Sequence, residues 1–313
     1  MPTFELQGHR GARGLKPENT LPSFEVAFDI GVTSIETDVH LTRDGVPVLY
    51  HDAAVTRALC GRTLGSTSAH PTNAGVFINA MKLRTMRGYR ADRNPNRRRF
   101  PTQDRVVTPL ADWFAQRYKL DPFTPPTLKD LFRLTKAYIG KPGRVLCKTD
   151  DRRESCCRLI LDLELKRVPY HPEYIGDEFD GEAPGLLEQT VVEAVRKAGM
   201  VGRTRVRSFD HRAVRAVRHL EPGLSAAVLI AGTAPVHPAA LARSAGADTY
   251  CPDYRFLDAA QVCACHAAGV RVLPWTVNEE ADWLRLLDWG VDGITTDYPD
   301  QLALVLRERN IPF

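Results

Sequence analysis

One unit recurs along this chain and limits what it can fold into: an amphipathic run that ends near a glycine, next to a short run rich in β-branched residues. Helical patterns over 20–30, 127–139, 186–198, 211–220, 238–245, 259–268 and 279–289 are interspersed among strand-like runs. Those runs cover 4–9, 34–40, 159–166, 204–209, 224–230, 248–252, 270–277 and 293–297. The helix boundaries are chemically marked. Thr20 supplies a capping hydroxyl, Pro22 falls in the first turn and Gly31 supplies the stop, while Thr127 and Asp130 make a capping-box start. Eight strands joined mostly by single helices must pair in parallel, because each crossover needs a dozen or more residues. The pattern predicts an α/β fold, a closed TIM (β/α)8 barrel; an open doubly wound sheet, usually built from fewer units, is the alternative.

One stretch breaks the alternation. Between 34–40 and 46–51 lies only L-T-R-D-G, and Asp44-Gly45 is a hairpin signal. With those two residues as the turn, paired numbers sum to 89, which sets His51 opposite Asp38 and one pleat from Glu36. The segment 52–126 then runs on, rich in Pro, Asn, Thr and Arg and with little sustained periodicity. It reads as an insertion, a lid or small subdomain after the second strand and its hairpin, within a single catalytic domain over 1–313. A shorter loop, 169–184, follows the third barrel strand. Both loops fall on the C-terminal side of barrel strands, where such folds place their chemistry.

Composition excludes several classes. With 43% hydrophobic and 26% charged residues the chain is an ordinary globular one, not collagen-like, disordered or a disulfide knot. There is no run of 18 apolar residues, so no membrane span is expected. Net charge is +4, yet 82–100 holds eight Lys and Arg against one acid, Asp92, so the remainder is net negative and nucleic acid is not an expected partner. Seven cysteines is an odd number, and the Cys156-Cys157 and Cys263-x-Cys265 spacings match no zinc-finger or CxxC pattern; reduced thiols are the reading preferred over a disulfide framework. The start, MPTFELQGHRG, lacks the pattern of a signal peptide, so the chain as written reads as cytoplasmic; a processed form would be periplasmic or secreted. Nothing in the sequence sets the oligomeric state.

The polar residues inside strands carry the chemistry. In S-I-E-T-D-V-H, Glu36 and Asp38 share a face; in L-D-L-E-L-K, Asp162, Glu164 and Lys166 share one while the leucines take the other. Leucines facing the outer helices turn the charged face into the barrel, where carboxylates need compensation. Lys166 offsets one charge, and a divalent cation held by Glu36, Asp38 and Glu164 would offset the rest. An all-oxygen set favours Mg2+ or Ca2+. His9 and His51 end strands on the same side, and imidazole suits proton transfer near neutral pH. With Arg10 and Lys166 beside them, the set suits phosphoryl transfer on a small anionic substrate.

The runs G-H-R-G-A-R-G-L-K-P-E-N-T-L-P-S-F and I-E-T-D-V-H-L-T-R-D-G-V-P-V-L-Y-H-D resemble those of the glycerophosphodiester phosphodiesterase family. P-P-T-L-K-D-L-F, L-E-L-K, R-S-F-D, P-W-T-V-N and D-G-I-T-T-D-Y-P extend the likeness across nearly the whole chain outside the insertion. The resemblance implies a TIM barrel and divalent-metal-dependent hydrolysis of glycerophosphodiesters to glycerol 3-phosphate and an alcohol, through a cyclic phosphate. It implies that His9 and His51 are the general acid/base pair, Glu36, Asp38 and Glu164 the metal ligands, Arg10 and Lys166 the phosphate-binding cations, and Trp275 an aromatic lining the substrate pocket. Glu18 and Asn19 are expected to support the first loop, His40 to be a rim residue rather than a ligand, and Phe209 to be core. Asp162 stands where the family often has Asn, leaving open whether a fourth carboxylate joins the ion. Two other functions fit parts of the sequence. One is a phospholipase D-like enzyme acting on lysophospholipids or sphingomyelin, which would need an apolar mouth. The other is a non-catalytic barrel binding nucleic acid or an anionic surface through 87–99.

Overall fold

The computed structural model describes residues 3–313. The eight expected strands are present: β1 (Glu5–Gly8), β2 (Ser34–Leu41), β3 (Ile160–Leu165), β4 (Thr204–Ser208), β5 (Ser225–Ile230), β6 (Thr249–Pro252), β7 (Arg271–Val272) and β8 (Gly293–Thr296). Neighbours in sequence are neighbours in the sheet from β1 to β7, and β8 pairs in parallel with β1. The seam between β7 and β8 is carried by backbone hydrogen bonds from Asp292 N to Val272 O, Thr295 N to Pro274 O and Val277 N to Thr295 O, at 3.0, 3.0 and 2.9 Å. This is a TIM barrel. No helix among the described residues is long and apolar enough to cross a membrane.

Local chemistry places the strands. Thr20 caps the helix Leu21–Ile30, and Gly31, at φ +82°, accepts the left-handed turn that feeds β2. The Thr127–Asp130 capping box opens Leu128–Ile139 as expected. Side chains alternate across the barrel wall. Leu161, Leu163 and Leu165 are buried in the layer between strands and helices, with Ile35, Val39 and Val206 beside them. The inward faces carry charge instead. Strand register sets Glu36 beside Asp162, Asp38 beside Glu164, Asp162 beside Arg205 and Glu164 beside Arg207. Arg205 pairs with Glu5 and Asp162 at 2.6 Å each, so the lower interior is an ion network in place of an apolar plug.

The structure differs from the sequence expectation at the hairpin. The strand Pro47–Leu49 does return antiparallel on β2, but its pairs, Val39 with Leu49 and His40 with Val48, sum to 88 rather than 89. The turn has three residues between Thr42 and Val46, closed by Gly45 N to Thr42 O at 2.9 Å, with Gly45 at φ +72°. A glycine in the left-handed region adds one residue to the loop and shifts the register by one. Tyr50, not His51, is therefore bonded to the Asp38 carbonyl, at 3.1 Å, and His51 lies just beyond the paired strand.

The region after the hairpin is more ordered than its composition suggests. Ala54–Val55 pairs with Val76–Phe77, Gly61–Arg62 pairs with Tyr89–Arg90, and Val55, Cys60, Ile78, Met81, Met86 and Tyr89 form a small core of their own. The helix Pro109–Tyr118 packs Leu110, Ala111 and Phe114 into the main core. Its first N–H groups, from Leu110 and Ala111, donate to the buried Glu25 carboxylate at 3.0 and 2.7 Å. All seven cysteines are free thiols.

Candidate active site

The turn after β1 is built from backbone constraints. A Cβ on Gly8 would lie 2.3 Å from Gly11 O, and one on Gly11 would lie 2.4 Å from Ser23 Oγ. Arg10 itself sits at φ +50°, and its N–H donates to Glu36 Oε2 at 3.0 Å. The G-H-R-G run thus folds tightly over the end of β2 and holds His9 and Arg10 against its acids. Asn19 donates to Asp38 Oδ2 at 2.8 Å, and Glu18 accepts from Arg10 Nη1 at 2.7 Å and forms an ion pair with Arg13, whose Nε is 2.6 Å from Oε2. Both residues support the loop, as the sequence suggested.

At the barrel mouth Glu36, Asp38 and Glu164 converge, each offering an oxygen within 4.8 Å of the others. All three are buried. Lys166 Nζ is 2.6 Å from Glu164 Oε1 and 3.3 Å from Asp38 Oδ1; Arg10 Nε is 3.3 Å from Asp38 Oδ2; Arg207 Nη2 is 3.5 Å from Glu36 Oε1. Even so, Glu36 Oε1 and Asp38 Oδ1 have no hydrogen-bond donor. Burial first, and then the neighbouring Asp38 charge, push the Glu36 carboxyl up to about 8. Asp38 is held below the usual carboxylate range against its own burial, chiefly by Arg10 and Lys166. Two orphaned carboxylate oxygens in an all-oxygen cluster fit a hard divalent cation. Asp162 is not part of that convergent group: its Oδ2 receives Arg205 and Gln7, at 2.6 and 2.9 Å, in the layer below, while its Oδ1 has no hydrogen-bond donor.

The two expected imidazoles are oriented alike. His9 Nδ1 is 2.6 Å from Asp297 Oδ1, and His51 Nδ1 is 2.7 Å from Asp52 Oδ1. Each carboxylate receives an Nδ1–H and leaves Nε2 free. His9 Nε2 is 3.7 Å from Glu36 Oε2. Burial, with Arg10 adding to it, lowers His9 to about 4 despite Asp297, so the ring is neutral at pH 7. The hydrogen bond from His51 holds Asp52 below its ordinary value.

These groups open on a cleft of about 370 Å³ lined by His9, Arg10, His51, Glu164, Lys166 and Trp275 among others. All eight side chains singled out in the sequence lie at this one end of the barrel. The structure corrects two of its lesser readings. Phe209 is 39% exposed rather than core, and meets Trp275 edge-on at 5.5 Å on the cleft wall. His40 is buried rather than at the rim, with Nε2 3.1 Å from the His51 carbonyl, so it fixes the backbone of a cleft residue.

Other partners escaped the sequence reading. Asp297 lay in the quoted D-G-I-T-T-D-Y-P run, but nothing local links it to a histidine 288 residues away. Arg207 left a trace, since T-R-V-R-S alternates arginines beside the alternating acids of L-D-L-E-L. Arg99 comes from the basic run and lines the cleft. That run is not one free basic face: Arg87 pairs with Asp130 at 3.2 Å, Arg90 with Asp121 at 3.0 Å and Arg99 with Asp297 at 3.2 Å.

A sequence model of the glycerophosphoryl diester phosphodiesterase family matches residues 9–146 and 166–301. The chain is 28% identical over 303 residues to a glycerophosphodiester phosphodiesterase of Bacillus subtilis (strain 168), covering 93% of this chain and 83% of that protein. A solved structure from Silicibacter pomeroyi DSS-3, assigned as a glycerophosphoryl diester phosphodiesterase, is 29% identical with a TM-score of 0.78, covering 100% of this chain and 96% of that one. A phosphodiesterase of Oleispira antarctica, solved with its product sn-glycerol-3-phosphate, has a TM-score of 0.66 at 22% identity over 97% of both chains, a likeness of fold.

Proposed function

This chain belongs to the glycerophosphoryl diester phosphodiesterase family, and from that premise we propose that it is a divalent-cation-dependent hydrolase cleaving glycerophosphodiesters to glycerol 3-phosphate and an alcohol. The observation that carries the reading is the convergence of Glu36, Asp38 and Glu164, two of them with orphaned oxygens, beside two imidazoles each backed by a carboxylate. In this reading 1–313 is one catalytic barrel, and 52–126 is an insertion packed on its mouth.

Glu36, Asp38 and Glu164 would hold Mg2+ or Ca2+, which supplies Lewis-acid stabilisation of charge on the phosphate oxygens. Arg10 and Lys166 bind the non-bridging oxygens and hold the phosphorus in line. Phe209 and Trp275 pack against the rest of the substrate. A glycerol hydroxyl next to the diester attacks phosphorus as the bond to the leaving alcohol breaks. Nε2 of one histidine takes the hydroxyl proton, and Nε2–H of the other protonates the departing oxygen. Water then opens the cyclic phosphate with the two proton transfers reversed, which returns both rings to their starting states and releases glycerol 3-phosphate. Asp297 and Asp52 keep each Nε2 turned to the cleft throughout.

The cleft favours this substrate class over a lysophospholipid. Its wall carries Arg10, Arg13, Arg99, Lys166, Arg207 and Arg255, and only Phe209, Leu229, Tyr254 and Trp275 offer apolar surface. Choline release from glycerophosphocholine, beside release from lysophosphatidylcholine, in EDTA, Mg2+ and Ca2+, tests the reading. Cation-dependent release from the first is expected. Release from the second alone, or undiminished activity in EDTA, would overturn it.

A further inference from the structure

Arg99 is the point where the basic run touches the active centre. Its neighbours Arg97 and Arg98 are exposed, but its guanidinium is on the cleft wall, with Nη2 3.2 Å from Asp297 Oδ2. The other oxygen of that carboxylate holds His9. The backbone is tied down at the same place. Tyr298 Oη donates to the Arg99 carbonyl at 2.5 Å, and the buried Phe100 ring has the Arg99 and Arg13 guanidinium carbons 5.2 and 4.7 Å from its centre. Thr102 and Gln103 donate to the carbonyls of Gly14 and Arg13, at 3.1 and 2.7 Å. Residues 99–103 are thus laced to the β1 turn and to the end of β8. A guanidinium has five N–H donors. Among the described residues Asp297 takes the one side-chain hydrogen bond that Arg99 makes, and the side chain stays 47% exposed.

We propose that Arg99 completes the active centre from outside the barrel: one N–H positions the Asp297 carboxylate behind His9, and the others bind the phosphate of the diester. The proposal rests on the phosphodiesterase reading above. A planar guanidinium presents separate edges in a fixed geometry, so one can serve a carboxylate while another serves a phosphate. Arg99 therefore acts on both terms of catalysis, turnover through Asp297 and binding through phosphate.

The test is steady-state kinetics and calorimetry on the full chain as Arg99→Ala, Arg99→Lys and, as the neighbouring control, Arg98→Ala. Arg99→Ala is expected to lower kcat by roughly 10–100-fold and to raise KM. Arg99→Lys is expected to recover KM more than kcat, because it keeps charge but loses the bond to Asp297. Added guanidinium should partly restore Arg99→Ala, and Arg98→Ala should match the parent. Unchanged kcat and KM in Arg99→Ala, or an equal loss in Arg98→Ala, would overturn the proposal. Calorimetry with glycerol 3-phosphate separates it from the function it rests on. Should the parent hydrolyse no glycerophosphodiester, that function fails, and binding about tenfold weaker in Arg99→Ala would still support the anion-binding role, while equal affinity would overturn it.

Discussion

Replacing Asp297 by Asn should damage this enzyme more than deleting the carboxylate. Asp297 Oδ1 receives His9 Nδ1–H at 2.6 Å, while Oδ2 receives Asn278 Nδ2 at 2.7 Å and Arg99 Nη2 at 3.2 Å. An Asn side chain of the same shape has one acceptor and one donor end. Two donors converge on the Oδ2 position, so the amide oxygen goes there and the NH2 turns to His9. Nδ1 must then accept, the proton moves to Nε2, and the ring presents a donor where the reaction needs an exchangeable pair backed by a carboxylate. A wrong tautomer of this kind lowers kcat by about 10³–10⁴-fold, roughly 4–5.5 kcal/mol of transition-state stabilisation. Asp297→Ala imposes no tautomer and should cost about 10–100-fold through looser positioning. Release of glycerol 3-phosphate from glycerophosphocholine at saturating cation measures both. An Asp297→Asn enzyme within about threefold of the parent, or one clearly faster than Asp297→Ala, would refute the tautomer reasoning.

His9→Ala and His51→Ala should each lower kcat by roughly 10²–10⁴-fold with unchanged circular dichroism, and normal turnover by either purified variant would sink its acid/base role. A divalent cation should raise the melting temperature of the parent, by an amount equivalent to about 2.7 kcal/mol at a hundred times its Kd, and should do far less for Glu164→Gln. His40 gives a pH signature. Burial lowers it from 6.5 to about 4, so between those values the unfolded chain binds a proton that the folded one refuses. Stability is then lost as pH falls from 6.5 to 4, by up to about 3 kcal/mol. Because His9 is lowered over the same range, His40→Gln should make urea-unfolding stability fall less steeply across that window, and parallel curves for variant and parent would contradict it.

Much of the fold is legible in the sequence because the barrel repeats one chemical unit, and alternation within β2 and β3 is enough to turn Glu36, Asp38, Asp162 and Glu164 inward. What stayed hidden depended on contacts distant in sequence or on one backbone angle. Gly45 at φ +72° made a three-residue turn out of an apparent two-residue one and shifted the hairpin register. Asp162 shares its strand face with Glu164 but is taken by Arg205, a residue whose partner choice depends on the strand next door. Phe209 has the composition of a core residue, and its place on the cleft wall follows from where β4 ends. The helix Pro109–Tyr118 was masked by its polar neighbours, although its buried side, Leu110, Ala111 and Phe114, follows helical spacing.

The most direct measurement is anomalous scattering from crystals grown with Mn2+, an ion suited to oxygen ligands. One strong peak is expected at the barrel mouth, about 2–2.6 Å from an oxygen of each of Glu36, Asp38 and Glu164. A map with no peak there, or with its strongest peak bound by other side chains, would contradict the metal-assisted hydrolase.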